Sequence, residues 1–333
     1  MIHRDLIGPV PRRGRAVKRV LILAGGGGHT GYGYALAEAL HERGVELSFL
    51  APLGDSLSFE RLRRFGDVDF LVKPRGPKTS LQIFAKGFAK SLLDSIGKVS
   101  TKFDVVVSTG CNFCIPPALV AWAKGIPVVN IESPVRFVKP SKTAMLLQPF
   151  SKLTALQWEE QRNFLDGVVT GPLLPKPKLK PWRGGYILVT GGTYGHKLLF
   201  DALSESNLEN VVLQTGRVNP EPYMRRHPEW KVFRVTESFH RYLAGAEVVV
   251  THYGATLLET ALYKKPAVIV PNPEWTRTAG IEDAVYMAKK LNAVLVSKID
   301  VETLIESIEK ARRRTVPSFP NGAENLAELI MEL

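Results

Sequence analysis

The sequence predicts an α/β protein built as two facing Rossmann-like domains with a cleft between them. Three observations carry this. Continuous apolar, β-branched runs (VLIL from Val20, VVVS, VVNI, ILVT, VVVT) alternate with helical patterns, the signature of parallel sheets covered on both faces. Each half opens with a strand that runs directly into glycines, Gly25–Gly28 and Gly191–Gly192. Between the halves, GPLLPKPKLKPWRGG breaks the alternation with prolines and basic residues and reads as a linker. The expected organisation is a basic tail (1–17), a first domain (18–170), the linker (171–185), a second domain (186–315) and a C-terminal helix (316–333) packing back on the first domain.

In the first half, Val20–Leu40 couples a strand to an amphipathic helix through the glycine turn. VELSFLA is the next strand, followed by a helix near Leu57–Phe65 and a strand at Val68–Val72. FDVVVST and IPVVNI are strands flanking a helix at Ala118–Lys124. The second half repeats the scheme with strands YILVT, VVLQT, Lys231–Val235, AEVVVT and PAVIV. Its helices fall near Lys197–Leu203, Thr256–Tyr263, Glu282–Leu291 and Val301–Arg313. Ligands of such sheets sit at the carboxyl ends of the strands, which here carry GGGGHT, STGCNFC, ESPVR, TGGT, QTG and THYGAT.

Composition bounds the partners. With 333 residues the chain can bury two cores, and 45% hydrophobic with 23% charged residues is ordinary globular content. No apolar run reaches the roughly 18 to 20 residues that span a bilayer. The basic N-terminus lacks the apolar centre of a signal peptide, and two cysteines suit a reducing compartment, so a cytoplasmic location is expected. The net charge of +12 points to an anionic surface or a phosphate-rich substrate. No recognition motif supports nucleic acid as the partner. Between Lys73 and Lys102 seven basic residues face one acid, and Leu81, Phe84, Phe88, Leu92 and Ile96 recur at helical spacing beside Lys86 and Lys90. That pattern predicts a helix lying on an anionic membrane surface, or a core helix with a solvated back.

The candidate chemistry sits in the loops. Gly25–Gly28 allow close approach of a ligand to the main chain. His29 at the start of a helix has its protonated form disfavoured by the helix field and is placed to act as a neutral base. The spacing is not a dinucleotide fingerprint, although Asp55 stands where its acid would. Glu132, ending an apolar strand beside Ser133 and Arg136, can pair with Arg136 or assist a base across the cleft. Cys111 and Cys114 form a C-x-x-C without a second pair, so a structural or substrate-lining role is expected rather than zinc. In the second half, Gly191–Thr193, Gln214–Gly216 and His252–Thr256 offer N–H groups and hydroxyls suited to phosphate oxygens, and Glu259 can accept from a ribose diol.

Together these residues resemble a known family. LAGGGGHTGYGYALAEAL, CNFCIPPAL and VVNIESPVRFVKPSKTAMLLQPFSKLTALQWEEQ resemble the membrane-recruiting, acceptor-side subunit of the dolichol-pathway second N-acetylglucosaminyltransferase. ILVTGGTYGHKLLFDAL and VVVTHYGATLLETALYKKPAVIVPN resemble its donor-side subunit. Fused in this order, the chain is also similar to the bacterial lipid II-forming GlcNAc transferase, whose QTG segment recurs at Gln214–Gly216.

The resemblance implies a GT-B inverting glycosyltransferase that moves GlcNAc from UDP-GlcNAc to a polyprenyl (dolichyl) pyrophosphate-linked sugar, an early step of lipid-linked oligosaccharide assembly. It implies no cofactor and no metal, and a peripheral place on the cytoplasmic membrane face. His29 or Glu132 would be the base. Gly27, Gly28, Thr30, Asn112, Ser133 and Arg136 would serve the acceptor. Gly192, Thr193, Tyr194, Gln214, Tyr253, Gly254, Ala255, Thr256, Glu259, Asn272, Glu282 and Asp283 would serve the donor. Glu282-Asp283-Ala284 departs from the family's amide-rich donor segment, which leaves the donor sugar open. A nucleotide-sugar 2-epimerase shares this architecture and is the alternative enzyme. A non-catalytic sugar-nucleotide or membrane adaptor is the alternative from another class.

Overall fold

The computed structural model describes residues 17–74, 80–274 and 279–333. The first half runs β1 (Arg19–Leu23), α1 (Gly28–His41), β2 (Glu46–Pro52), α2 (Ser56–Leu62), β3 (Gly66–Leu71), α3 (Leu81–Lys98), β4 (Val105–Ser108), α4 (Ile115–Ala123), β5 (Val128–Ile131), α5 (Lys142–Leu147), β6 (Leu153–Leu156) and β7 (Val168–Val169). The second half runs β8 (Ile187–Thr190), α6 (Lys197–Ser204), β9 (Val211–Gln214), α7 (Glu221–Arg226), β10 (Lys231–Phe233), α8 (Phe239–Gly245), β11 (Val248–Thr251), α9 (Thr256–Leu262), β12 (Ala267–Ile269), α10 (Ile281–Leu291), β13 (Val294–Leu295), α11 (Val301–Arg312) and α12 (Gly322–Glu332).

All pairings in both sheets are parallel, as the continuous apolar runs require. The strand orders are β3-β2-β1-β4-β5-β6-β7 and β10-β9-β8-β11-β12-β13. In each sheet the order reverses beside the first strand, between β1 and β4 and between β8 and β11. Connections leave in opposite directions at such a point and open a crevice at the strand carboxyl ends. The glycine turns after β1 and β8 stand at those two crevices.

Val20, Ile22, Leu36, Leu40, Val105 and Val107 form a core between the first sheet and α1, and α12 closes it with Ala323, Leu326, Ala327 and Ile330. A separate core holds Val189, Phe200, Leu213, Val250 and Ile308 in the second half. A third apolar cluster joins the halves: Phe137 and Trp158 pack with Leu174, Tyr253, Leu257 and Met287. Helix α4 starts earlier than its apolar periodicity predicts, because Pro116 and Pro117 occupy its first turn, where the missing N–H costs nothing.

The membrane stripe requires correction. Phe88 and Leu92 pack against the cluster beneath α3, and Phe84, half-buried, leans on Phe88 at 5.9 Å between ring centres. The side chain of Leu81 lies outside the described residues, as do residues 1–16 of the basic tail. The helical period of apolar residues marks the face that enters the core. The outward face carries Lys86 and Lys90 with Ile83, Leu93 and Ile96, the first two 63% and 68% exposed. Trp122 on α4 and Met145 and Leu146 on α5 are likewise exposed.

Candidate active site

The turn after β1 is built from its backbone outward. Gly26 and Gly27 have φ of 86° and 58°, a region that a side chain makes costly, and Gly27 caps α1 without a side-chain hydrogen bond. The Thr109 hydroxyl accepts from Gly25 N–H at 3.3 Å and donates to Leu23 O at 2.7 Å, stitching the turn to the end of β4. His29 Nδ1 lies 2.7 Å from Thr109 O. A carbonyl oxygen only accepts, so Nδ1 carries the proton and Nε2 keeps its lone pair. Burial, with Lys73 nearby, holds His29 below the ordinary histidine range against the opposing Thr109 bond. His29 is thus a neutral imidazole with a fixed tautomer, which is what a general base requires.

Tyr32, one turn into α1, presents its ring to His29 edge-on at 5.7 Å. Burial drives its phenol pKa upward, while a bond with the Ser133 side chain opposes. Sequence reading missed Tyr32 and Thr109 because a buried tyrosine and a strand-end threonine look like core. Ser133 belongs to the loop after β5, and its neighbours form a tightly satisfied polar network. Gln157 Nε2 donates to Glu132 O (2.8 Å), Trp158 Nε1 to Pro134 O (2.8 Å), and Gln161 Nε2 to Ser133 O and Arg136 O (both 2.9 Å). The Gln-Trp segment is therefore the scaffold of the Glu-Ser loop.

Several candidate side chains are committed elsewhere. Glu132 is fully buried; its Oε1 accepts from Ser133 N–H at 2.5 Å and its Oε2 from Ser141 N–H at 2.8 Å. Burial pushes its carboxyl up, and those N–H groups oppose the shift. A carboxylate so enclosed positions the loop and does not open on the cleft. Thr30 is buried and its hydroxyl meets Ser58 Oγ at 2.6 Å. Asp55 accepts from Ser58 N–H and Oγ as the cap of α2, so it is not a ribose acid. Half-buried Arg136 contributes its carbonyl to the network and its charge to Glu132, and Asn112 opens the short helical turn before α4.

Across the cleft, the loop after β8 repeats the glycine device. Gly192 has φ 65°, and its N–H donates to Thr190 Oγ1 at 3.0 Å. Thr190 in turn donates to Gln214 Oε1 at 3.2 Å, so Gln214 supports the loop from below. A Cβ on Gly192 would come within 3.0 Å of the His252 ring, and one on Gly254 within 2.4 Å of it. Burial, then His196 nearby, pushes His252 down to about 4, so a neutral imidazole floors this loop. Thr193 lines the same turn and exposed Tyr194 carries the Arg217 guanidinium 4.7 Å from its ring centre. Half-buried Glu259 follows Ala255 and Thr256; burial raises its carboxyl while Arg61 and Lys178 oppose.

Two donor candidates instead join the domains. Tyr253 donates its hydroxyl to Val135 O at 2.8 Å. Asp283 Oδ1 accepts from Phe137 N–H (2.7 Å) and Val138 N–H (3.0 Å), and its Oδ2 accepts from Gly280 N–H (3.0 Å). With both oxygens engaged and 2% exposure, Asp283 is an inter-domain clasp and not a sugar contact. Asn272 accepts from Glu274 N–H at 3.0 Å in a local turn, and Glu282 is exposed on α10. The clasp holds the two crevices face to face: a Cβ on Gly28 would stand 3.0 Å from Ala255 Cβ. His29 is therefore one residue from the point where the two glycine-rich loops meet.

Residues 186–330 match the Glycosyltransferase family 28 C-terminal domain. Over 351 aligned positions the chain is 28% identical to the UDP-N-acetylglucosamine--N-acetylmuramyl-(pentapeptide) pyrophosphoryl-undecaprenol N-acetylglucosamine transferase of a Synechococcus strain, covering 95% of this chain and 93% of the relative. The transferase of the same name from Psychromonas ingrahamii is 26% identical, over 85% of this chain and 86% of its own length. Among solved structures, MurG of Acinetobacter baumannii superposes with a TM-score of 0.67 at 21% identity, covering 95% of this chain and 100% of that one. UDP-GlcNAc 2-epimerase from Neisseria meningitidis, bound to UDP-GlcNAc, gives 0.60 at 15% identity, over 94% and 98%.

The chain is a GT-B glycosyltransferase. The likeness to the epimerase is one of fold alone. In this glycosyltransferase, residues 186–330 span the loops at Gly192 and Tyr253–Thr256, so the matched domain is the one that holds the candidate donor groups. Among the described residues, no group of three or more His, Cys, Asp or Glu side chains could hold a metal ion.

Proposed function

We propose that this chain transfers GlcNAc from UDP-GlcNAc, with inversion, onto a sugar linked to polyprenyl pyrophosphate. The observation that carries the reading is the meeting of the two glycine-rich loops at Gly28 and Ala255, with neutral His29 beside the contact. The donor occupies the second domain: the backbone around Gly192 and at Ala255–Thr256 receives the diphosphate and Glu259 the ribose. The acceptor enters the first domain over Gly27 and Gly28, beside Asn112, Ser133 and Arg136. His29 Nε2 takes the proton of the acceptor hydroxyl as its oxygen attacks the anomeric carbon, and UDP departs into N–H groups aimed at the developing charge. Glu132 and Tyr32 keep the Ser133 loop in register with His29.

The relatives are transferases that act on an undecaprenyl-pyrophosphate acceptor, whereas the Glu132–Arg136 and Gln157–Glu160 segments resemble the dolichol-pathway subunit. Both acceptors share the polyprenyl pyrophosphate, and that shared chemistry defines the proposed site. We place the enzyme peripherally on an anionic membrane through α3, α4 and α5, which expose Ile83, Leu93, Ile96, Trp122 and Met145 together with Lys86 and Lys90. Among the described residues no helix is long and apolar enough to cross a membrane. A UDP-release assay with and without a polyprenyl-pyrophosphoryl sugar tests the reading. Release that requires the acceptor supports transfer; equal release or epimer formation without it contradicts transfer.

A further inference from the structure

The C-x-x-C is left without a role by the transfer chemistry, yet it lies directly under the turn that carries His29. Cys111 ends the loop after β4 and Cys114 closes the short turn Asn112–Cys114 that leads into α4. Cys114 N–H donates to Cys111 O at 2.9 Å, which turns both thiols to the same side, and their sulfurs stand 3.8 Å apart. Cys111 is partly exposed, whereas Cys114 is fully buried with its thiol 3.3 Å from Leu23 O. One accessible and one sheltered thiol at the start of a helix are the parts of a dithiol that exchanges with disulfides.

The position couples this pair to the site. A Cβ on Gly25 would fall 1.8 Å from Cys111 Sγ, so the thiol fills the space beside the first glycine of the turn. Gly25 N–H is held by Thr109 Oγ1, and Thr109 O holds His29. Thr109 Oγ1 also lies 3.7 Å from Cys114 Sγ. Closing the sulfurs from 3.8 Å to about 2.05 Å draws Cys111 Sγ away from Gly25 and disturbs the neighbours of Thr109.

We propose that Cys111 and Cys114 are a reversible dithiol–disulfide couple whose state sets the geometry of the glycine turn and of His29. The oxidant is a low-molecular-weight disulfide. Cys111 Sγ, passing its proton to Cys114 Sγ 3.8 Å away, attacks one of its sulfurs and releases one thiolate. The Cys114 sulfur, losing its proton, attacks the mixed disulfide at Cys111 and releases the second. Two electrons pass from the cysteine pair to the oxidant, and two protons leave. The bond to Cys114 and burial push the Cys111 thiol well up. Burial also opposes ionisation of Cys114, but the bonds from Cys111, Thr109 and Ser108 outweigh it and bring that thiol down to about 6. The first proton therefore leaves from Cys114, which then takes the Cys111 proton as Cys111 attacks. The couple stands whatever sugar is moved; its effect on turnover rests on the role assigned to His29.

The full chain is equilibrated in glutathione buffers from fully reduced to fully oxidised, quenched with acid, alkylated and read by mass spectrometry. The expected result is a two-electron transition in which both cysteines lose alkylation together and the Cys111–Cys114 peptide loses two hydrogens. Dithiothreitol reverses it. The imidazole signals of His29 in NMR spectra shift between the two states of the wild type and stay put when Cys111→Ser is carried through the same buffers. Both cysteines remaining alkylated throughout would overturn the proposal, as would a glutathione adduct on Cys111 that persists unresolved in wild type. A disulfide that forms while His29 signals do not move would also overturn it. Reduced protein that transfers no sugar would count against the transfer reading and leave the couple intact.

Discussion

The Tyr253 hydroxyl donates to Val135 O at 2.8 Å, tying the loop that opens α9 in the second domain to the Ser133 loop of the first. In the opposite direction, Asp283 Oδ1 accepts from Phe137 N–H at 2.7 Å. Both bonds reach the segment whose other side carries Glu132 and Ser133, so inter-domain spacing and site geometry are one construction. Asp283→Ala leaves two backbone N–H groups at the interface without an acceptor. The expected cost is about 1–3 kcal/mol, read as a lower denaturant midpoint. An unchanged midpoint with lost donor affinity would return Asp283 to the sugar site.

His29 supplies a pH prediction. Its pKa is lowered, chiefly by burial and further by Lys73, so the neutral, active form is fully present above the folded-state value and is lost as pH falls through it. The acidic limb of the kcat/KM profile is expected below about 6.5, the unperturbed histidine value. Lys73→Met removes a cation that disfavours imidazolium and moves this limb to higher pH. A limb that stays in place when Lys73 is changed would disconnect the limb from His29.

Glu132 predicts a different pattern. Its two oxygens accept from two backbone N–H groups, so in Glu132→Gln an amide NH2 must face one of them. Stability falls by about 1–3 kcal/mol. The acidic limb set by His29 keeps its position. Loss of that limb in Glu132→Gln, with unchanged folding, would make Glu132 the base.

On α3, Ile83→Asp with Leu93→Asp removes exposed apolar surface and should weaken liposome binding several-fold without lowering Tm. Phe88→Asp, which buries a charge against the core, should unfold the first domain. Unchanged binding of the double variant to anionic vesicles would remove α3 from the membrane face.

Donor loops give a fifth test. Gly192→Ala places a methyl 3.0 Å from the His252 ring at a φ of 65°, so the loop must deform. A raised KM for the nucleotide sugar is expected, and Glu259→Gln should raise it too while leaving kcat nearly unchanged. A normal donor KM in both variants would move the nucleotide away from this loop.

The parallel sheets were legible because strands buried on both faces leave continuous β-branched runs, and the glycine turns after β1 and β8 because only glycine tolerates their φ. The segment between Ser133 and Thr170 was not, since β6 and β7 are short and lack a periodic signal. Tyr253 and Asp283 carry polar chemistry equally suited to a sugar and to a facing backbone, and only the docked domains decide between them. The apolar period of α3 was visible, but periodicity reports the buried face at Phe88 and Leu92; the exposed Ile83 and Leu93 break it, and Ile96, although on the period, is exposed. His29 was found from its place beside glycines. Thr109, which fixes its tautomer, is 80 residues away in sequence and leaves no local trace.

The most direct measurement is mass spectrometry of polyprenyl-pyrophosphoryl-GlcNAc and of polyprenyl-pyrophosphoryl N-acetylmuramyl-pentapeptide after incubation with the protein and UDP-GlcNAc, with His29→Ala alongside. A gain of one N-acetylhexosamine on one of these lipids by wild type, reduced at least about 100-fold in His29→Ala, is the predicted result. Both lipids unchanged while UDP-GlcNAc is consumed, or equal transfer by His29→Ala, would contradict the account.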